Sequence, residues 1–519
     1  MRIGVDVGGT HTDAALLDGE TLRASTKQLT SDDIASGVLA AVRTVLDAAG
    51  VAPAQISMIV LGTTQMTNAV VERQRLEAVG ALRIGAQSSR ALPVAAQWPA
   101  DLRAHCVADS VMVDGGHEYD GSARIATDEG TLAEAVDAFL GRGVEAFAVT
   151  GVFATANPAA ELAAAAVIRA RAPQARIALS HQLGRIGLYQ RENATLLNAS
   201  LLRHAERVFS AFEAAFAELK LRCPLFISQN DGTVMTARFA RQFPVLTFSS
   251  GPTNSMRGAA FLSGVADAMV VDVGGTTSDI GMLQQGFPRP SGSAVSVGGV
   301  LTNFRMPDVL ALGIGGGSLV ADDGSVGPLS VGRELPSRAL CFGGEQRTAT
   351  DVAVATGRIS LGDRIPILAE GLSDRVATEI RRRFEHTIDK LKTEARELPL
   401  IVVGGGGFLV PDVLDGVSEV LRPEHADVAN AIGAAFAQVS GEAEVAFAHR
   451  VRSRDEARAE AQAQAEARAI EAGAVPDSLK LVDVDETPMA YLAEPGSILA
   501  TKVIGDVDVD RLGVHRDAR

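Results

Sequence analysis

Two short runs of β-branched and apolar residues, at 3–7 and 269–273, each lead into a polar octet, and after each octet an apolar run resumes at once, as AALL (residues 14–17) and IGML (residues 280–283). Unbroken apolar runs of this length suit strands buried on both faces. The octets, DVGGTHTD (residues 6–13) and DVGGTTSD (residues 272–279), are nearly the same phrase. The pattern is therefore strand, tight turn, strand, written twice, and not the strand, loop, helix of a P-loop. Residues 33–49 carry Ile34, Val38, Val42 and Leu46 at near-helical spacing and predict an amphipathic helix. A strand at 59–61, a Gly62-Thr63-Thr64 turn and a helix bearing Asn68 follow. Residues 80–179 read as a separate α/β insert, in which AVTGVFATANP (residues 148–158) is a buried strand leading to an alanine-rich helix. Beyond it come a loop and a long helix from residue 180, a strand into the turn Asn230-Asp231-Gly232, and a Ser249-Ser250-Gly251-Pro252 turn before another helix, with Thr253 and Asn254 at its start. Two further apolar strands run into the glycine turns GIGGGS (residues 313–318) and VVGGGG (residues 402–407). Residues 427–439 predict a helix of small residues, residues 452–469 a charged, solvated helix, and the tail short strands at 479–484 and 502–507.

The octets carry the chemistry. Gly8 and Gly9, like Gly274 and Gly275, permit positive φ and let backbone N–H groups approach an anion without a Cβ in the way. Thr10 and Thr12, with Thr276, Thr277 and Ser278 in the second copy, supply hydroxyls for phosphate oxygens. Asp6, Asp13, Asp272 and Asp279 supply carboxylates for a hard cation or its waters. One Gly-Gly hairpin is ordinary sheet punctuation, but two with the same Asp, Gly, Gly, Thr, Asp order are not. Adding Gly315 and Gly316, and Gly404, Gly405 and Gly406, gives four glycine-rich strand ends and implies one extended nucleotide cleft. Thr63, Thr64 and Asn68 rank second, since a hydroxyl turn before a helix caps as readily as it binds. The Ser-Ser-Gly-Pro turn can likewise hold an anion or only cap its helix. His117, Glu118 and Asp120 lie close together in DGGHEYDG (residues 114–121), where a hairpin turn with exposed polar residues is preferred over a metal site. His181 is read as a satisfied lone histidine, and Arg185, Tyr189, Arg191 and Asn193 as a polar loop beside the cleft.

At 519 residues the chain exceeds one core and predicts two large domains with extras. Its net charge of −15 argues against nonspecific nucleic-acid binding and against an anionic membrane surface, while leaving room for ATP held by local dipoles and a metal. Cys106, Cys223 and Cys341 are isolated in sequence, signalling neither zinc nor a disulfide framework. The first strand begins at Arg2 and Ile3, without a signal peptide or an apolar span, so a cytoplasmic location is expected.

Two DxGGTxxD hairpins followed by VVGGGG resemble the two phosphate motifs and the adenosine motif of the actin, sugar kinase and heat-shock chaperone ATPase superfamily. That resemblance implies two RNase H-like domains closing on ATP. Within it the chain resembles the A-type subunit of the hydantoinase/oxoprolinase family, through GTTQMTNAV, SHQLGRIGLYQRENAT, SSGPTNS, DVLALGIGGGS, RALCFGGEQRTATDVAVATGRI and VDVDETPMAYL besides the hairpins. The implied fold is α/β. Its first part, residues 1–180, holds one hairpin and the insert; residues 181–440 hold the second hairpin and adenosine motif; residues 441–519 form a helix and tail. The implied activity is ATP-dependent opening of a cyclic amide such as a hydantoin, lactam or 5-oxoproline, with a companion subunit in an oligomer. Mg²⁺ would be held through water by Asp6 and Asp272, phosphate oxygens by Thr10, Thr12, Thr276 and Thr277, and adenosine by residues 404–407. Asp13 or Asp279 would orient a nucleophile or brace its hairpin, bracing being favoured. A small-molecule kinase and an ATP-switched noncatalytic partner are the alternatives. Relatives commonly have His where this chain has Leu61, Glu where it has Leu188, and GPAGG where it has GPTNS (residues 251–255).

Overall fold

The computed structural model describes residues 1–31, 33–183, 185–292, 294–303, 306–436, 438–489 and 495–509. The last residues of the VDVDETPMAYL phrase, 490–492, and residue 437 of the small-residue helix segment lie outside them.

Each octet folds as a hairpin within its own sheet. Arg2–Val7 pairs antiparallel with His11–Asp18, placing Asp6 opposite Asp13, and Thr21–Leu29 adds antiparallel beyond. On the other side Met58–Thr63 and then Leu225–Ser228 run parallel to the first strand. This gives the order third, second, first, fourth, fifth. The second unit repeats it: Ala268–Val273 pairs with Ser278–Gln284, Asp272 facing Asp279, with Phe287–Pro288 on one side and Leu398–Val403 and Val417–Leu421 parallel on the other. The two sheets are the expected RNase H-like pair. Both faces of the second hairpin's first strand are covered: Met269, Val271 and Val273 on one face and Ala268 and Val270 on the other are inaccessible or nearly so, as are Ile3, Val5 and Val7 on one face of the matching strand.

The insert is a four-stranded parallel sheet, ordered Val107–Val113, Val79–Ile84, Ala146–Gly151, Arg176–Leu179, with its own core around Phe139 and Phe147. In residues 114–121 the backbone turns back as expected, with Gly121 N–H donating to Glu118 O at 3.0 Å. His117 is buried there, and Glu118 pairs with Arg124.

The segment boundaries differ from those expected. Leu225–Ser228 and Val234–Thr236, and from the tail Val439–Ala448, Lys480–Pro488 and Gly496–Gly505, all belong to the first hairpin's sheet. Neither 181 nor 441 is a sheet boundary, because the first unit's fifth strand arrives only after the insert and the long Leu188–Glu218 helix. The Arg454–Ala472 helix is also not solvated all round. Ala457, Ala461, Ala465 and Ala469, one per turn, are buried against the tail strands. Methyl-sized side chains hid this face, and Gly441 allows the close approach: a Cβ there would sit 2.0 Å from Ala465 O.

Candidate active site

Three crossing points set the geometry of the site before any polar group is considered. The Ala429–Ala435 helix lies against both the Arg2–Val7 strand and the Ser250–Ser263 helix. A Cβ on Gly4 would stand 2.0 Å from Ala431 O, one on Gly258 1.8 Å from Ala429 O, and one on Gly433 1.9 Å from Asn254 O. Backbone therefore meets backbone, and short side chains from both helices reach the first hairpin. Asn254 Nδ2 donates to Asp6 Oδ1 at 2.9 Å, and Asn430 Nδ2 lies 3.1 Å from Asp6 Oδ2 and 2.7 Å from Asp13 Oδ2. Ser255 Oγ donates to Asp272 Oδ2 at 2.5 Å, so one helix turn holds carboxylates of both hairpins.

The two turns face one cavity of about 500 Å³. They approach closely: a Cβ on Gly275 would lie 3.5 Å from Thr10 Cγ2. Asp6, Gly8, Gly9, Thr10, Asp13, Asp272, Gly274, Gly275, Thr276, Thr277, Asp279, Gly316, Gly404, Gly405 and Gly406 all line it. Thr12 and Gly315 do not. Thr12 is buried with its hydroxyl 3.3 Å from that of Thr30, and its counterpart Ser278 donates to Ile314 O at 2.6 Å, so both hydroxyls tie down their own hairpins. Gly315 packs beneath the second turn, where a Cβ would come within 2.6 Å of Thr276 N. The positive φ that glycine permits is used at Gly404, at +84°, and not at the hairpin glycines. The hairpin glycines serve by size. A Cβ on Gly9 would meet no protein atom, so the space it faces is open to a ligand.

The carboxylates are not equivalent. Asp13 is braced, with Lys27 Nζ at 2.7 Å and Asn430, although its Oδ1 is buried without a partner. Asp279 receives no hydrogen bond among the described residues. Burial, with Asp272 nearby, pushes it up to about 7. Burial pushes Asp6 up to about 6, opposed by Asn254 and Asn430 and aided by Asp13 and Asp272, and it raises Asp13 and Asp272 as well. His11 on the same wall is driven down by burial and by Lys27. Two buried carboxylates, Asp6 and Asp13, and two half-buried ones, Asp272 and Asp279, thus share one cavity whose lining holds, among the described residues, one lysine, Lys27.

Residues 2–172 match the hydantoinase/oxoprolinase N-terminal region, and residues 191–364 match hydantoinase/oxoprolinase. The chain belongs to the hydantoinase/oxoprolinase family. It is 27% identical over 423 residues to the caprolactamase subunit alpha of Pseudomonas jessenii, covering 75% of this chain and 60% of that one. It is 27% identical over 406 residues to the acetophenone carboxylase gamma subunit of Aromatoleum aromaticum, covering 70% and 55%. The chain thus aligns with a little over half the length of these relatives. Its fold is shared with the ATP-dependent caprolactamase of Pseudomonas jessenii, at a TM-score of 0.78 and 22% identity over 97% of this chain and 87% of that one. A nucleotide-free acetone carboxylase superposes with a TM-score of 0.65 and 16% identity over 98% and 88%.

In this family member the GPTNS departure has a visible use, since Asn254 and Ser255 are the side chains that hold Asp6 and Asp272. Gly251 and Pro252 also line the cavity, so the start of the Ser250–Ser263 helix faces it. Of the second-rank residues, Thr64 lines the cavity, Thr63 accepts from Gln65 N, and Asn68 supports Thr64 from 3.3 Å. Arg185, Tyr189, Arg191 and Asn193 do not reach the cleft. Arg191 is buried on Ser180 and Gly151 O, Asn193 joins Trp98 to Leu301 O, Tyr189 takes Gln97 N–H, and Arg185 pairs with Glu444. His181 is satisfied by Glu161 at 2.6 Å, as expected of a lone histidine. Lys27, Asn430 and Thr350 are site residues that sequence reading missed; Thr350 Oγ1 fixes the Gly316 carbonyl at 2.8 Å.

A pH dependence follows. Between the ordinary carboxylate range and about 7 the folded chain binds more protons at Asp6 and Asp279 than the unfolded chain does, so stability falls as pH rises through that window. Without divalent cation, Tm is expected to be higher at pH 5.5 than at pH 8, and Asp279→Asn is expected to flatten the difference. An unchanged pH slope in that variant would remove Asp279 as a source.

Proposed function

We propose that the chain is an ATP-dependent hydrolase subunit that opens a cyclic amide by phosphorylating its amide oxygen. The observation that carries this reading is the asymmetry between two otherwise matched hairpins: Asp13 is braced by Lys27 and Asn430, while Asp279 is left free and raised to about 7 beside the same cavity. An amide is a poor electrophile, and phosphorylation makes its oxygen a leaving group. As the oxygen attacks the γ-phosphorus, the ring N–H must lose its proton, and a carboxylate titrating near neutrality suits that transfer. Asp279 is assigned this role, reversing the bracing role favoured from sequence. Water then adds at the carbon, the ring C–N bond breaks with the nitrogen leaving as the amine and an acyl phosphate remaining, and a second water releases phosphate and leaves the carboxylate.

The residues fit a Mg²⁺ ion. The negative charge of Asp6, Asp13, Asp272 and Asp279 exceeds what Lys27 offsets, and Asp13 Oδ1 is buried without a partner. Asp6 and Asp272 would hold the ion, directly or through water, and the ion would neutralise charge on the transferring phosphoryl group. Thr10, Thr276 and Thr277 would bind phosphate oxygens, and Gly404, Gly405 and Gly406 would lie against adenosine. Two relatives are named as subunits, which supports a companion chain for this one. No helix of the described residues is long and apolar enough to cross a membrane; a cytoplasmic location remains part of this reading.

The test is phosphate release from Mg-ATP by the purified chain, with and without a candidate companion, across hydantoins, lactams and imides. Stimulation by one cyclic amide together with ring opening is the expected result. A stable phosphorylated product would identify a kinase instead, and stimulation by protein alone an ATP-switched partner.

A further inference from the structure

A second hollow, of about 580 Å³, lies where the start of the Ile34–Ala49 helix, the turn at 75–77 and the Leu188–Glu218 helix meet. Its size is within the range of small-molecule sites. Ile34, Leu76, Val208 and Phe212 form the apolar part of its lining. Most of its charged groups are already committed: Arg203 pairs with Glu77 at 2.8 Å and with Glu145, Glu77 also pairs with Arg176, and Asp33 accepts from Ser36. Arg75 and Arg207 make no hydrogen bond or ion pair among the described residues. His204 lines the same hollow; it is only 8% exposed, and its Nε2 is buried with no hydrogen-bond partner among the described residues. Burial, Arg75 and Arg207 drive this imidazole down to about 4, so it is neutral at physiological pH.

We propose that this hollow is a separate binding site for a small organic carboxylate with an aliphatic body. The carboxylate sits on Arg75 and Arg207, whose planar guanidinium groups suit it. The aliphatic body covers Ile34, Leu76, Val208 and Phe212, with His204 in the wall of the hollow. A neutral histidine beside two uncommitted arginines selects an anion without adding a third charge. The site is distinct from the cleft, sharing no lining residue with it. It does not depend on the activity proposed above.

The experiment is calorimetric titration of the full chain, saturated with Mg-ADP, with hexanoate, hexylammonium and inorganic phosphate. Hexanoate is expected to bind at one equivalent, with hexylammonium silent and phosphate much weaker. Arg207→Ala and Arg75→Gln, both at exposed positions, are each expected to weaken hexanoate binding at least about tenfold while leaving Tm unchanged. Absence of binding, equal binding to the variants, or equal binding of hexylammonium would overturn the site. Phosphate binding as tight as hexanoate would overturn the carboxylate assignment, and hexanoate binding seen only in a parallel titration without Mg-ADP would overturn its separateness.

Discussion

Asp272→Asn is expected to lower Mg-ATP-dependent phosphate release on the order of a thousandfold, while raising Tm or leaving it unchanged. The two effects have one cause. Asp272 is half-buried at the mouth of the second hairpin, and burial raises its pKa despite the hydrogen bond from Ser255. In the empty cleft its charge is therefore a cost. Asparagine keeps the shape and an oxygen for Ser255, removes the charge, and so relieves that cost. What it takes away is one of the two carboxylates assigned to the cation, and the loss is felt only when phosphoryl transfer needs it. Steady-state assays with a Mg²⁺ titration, alongside melting curves with and without Mg-ATP, check both halves. Activity within tenfold of wild type would remove Asp272 from the cation site. A large drop in Tm would show instead that its charge holds the fold together.

How much of this could be read from the sequence depended on how local each feature was. The hairpins were legible because Asp, Gly, Gly, Thr and Asp act on one another within eight residues. The insert was legible too, since its sheet is built from residues contiguous in the chain. The groups that tune the carboxylates were hidden by distance: Asn254 and Asn430 reach Asp6 from 248 and 424 residues away. Lys27 was hidden by register. It sits directly across from Asp13, but an irregularity between Leu16 and Leu17 shifts the pairing, so counting back from the Gly19 turn puts the lysine at the wrong position. The polar segment around Arg191 and Asn193 misled for a different reason. Its charged and amide groups suggested a ligand, and they are spent on fastening the insert and the hairpin at 295–302 to the long helix.

The close helix crossing permits a sharper separation of fold from function, through Gly433→Val and Gly9→Ala. Gly433 lies where a Cβ would stand 1.9 Å from Asn254 O and 2.5 Å from Gly258 N, both backbone atoms of the neighbouring helix. No rotamer change can relieve that contact, so the Ala429–Ala435 and Ser250–Ser263 helices must part. A loss of about 3 kcal/mol is expected, at the upper end for overpacking because the obstacle is backbone. As the helices separate, Asn430 and Asn254 withdraw from Asp6, and nucleotide binding should fail with the fold. Gly9→Ala is the opposite case, since its added methyl meets no protein atom within 4 Å and its φ is outside the left-handed region. Tm should stay within about 0.5 kcal/mol equivalent of wild type, while Mg-ATP affinity falls by roughly tenfold because the methyl takes up room that phosphate would occupy. Equilibrium unfolding and nucleotide titration on the two variants decide the matter: normal Mg-ATP affinity in Gly9→Ala would show that phosphate does not approach the first hairpin, and a stable Gly433→Val would show that the two helices do not depend on their glycine contact.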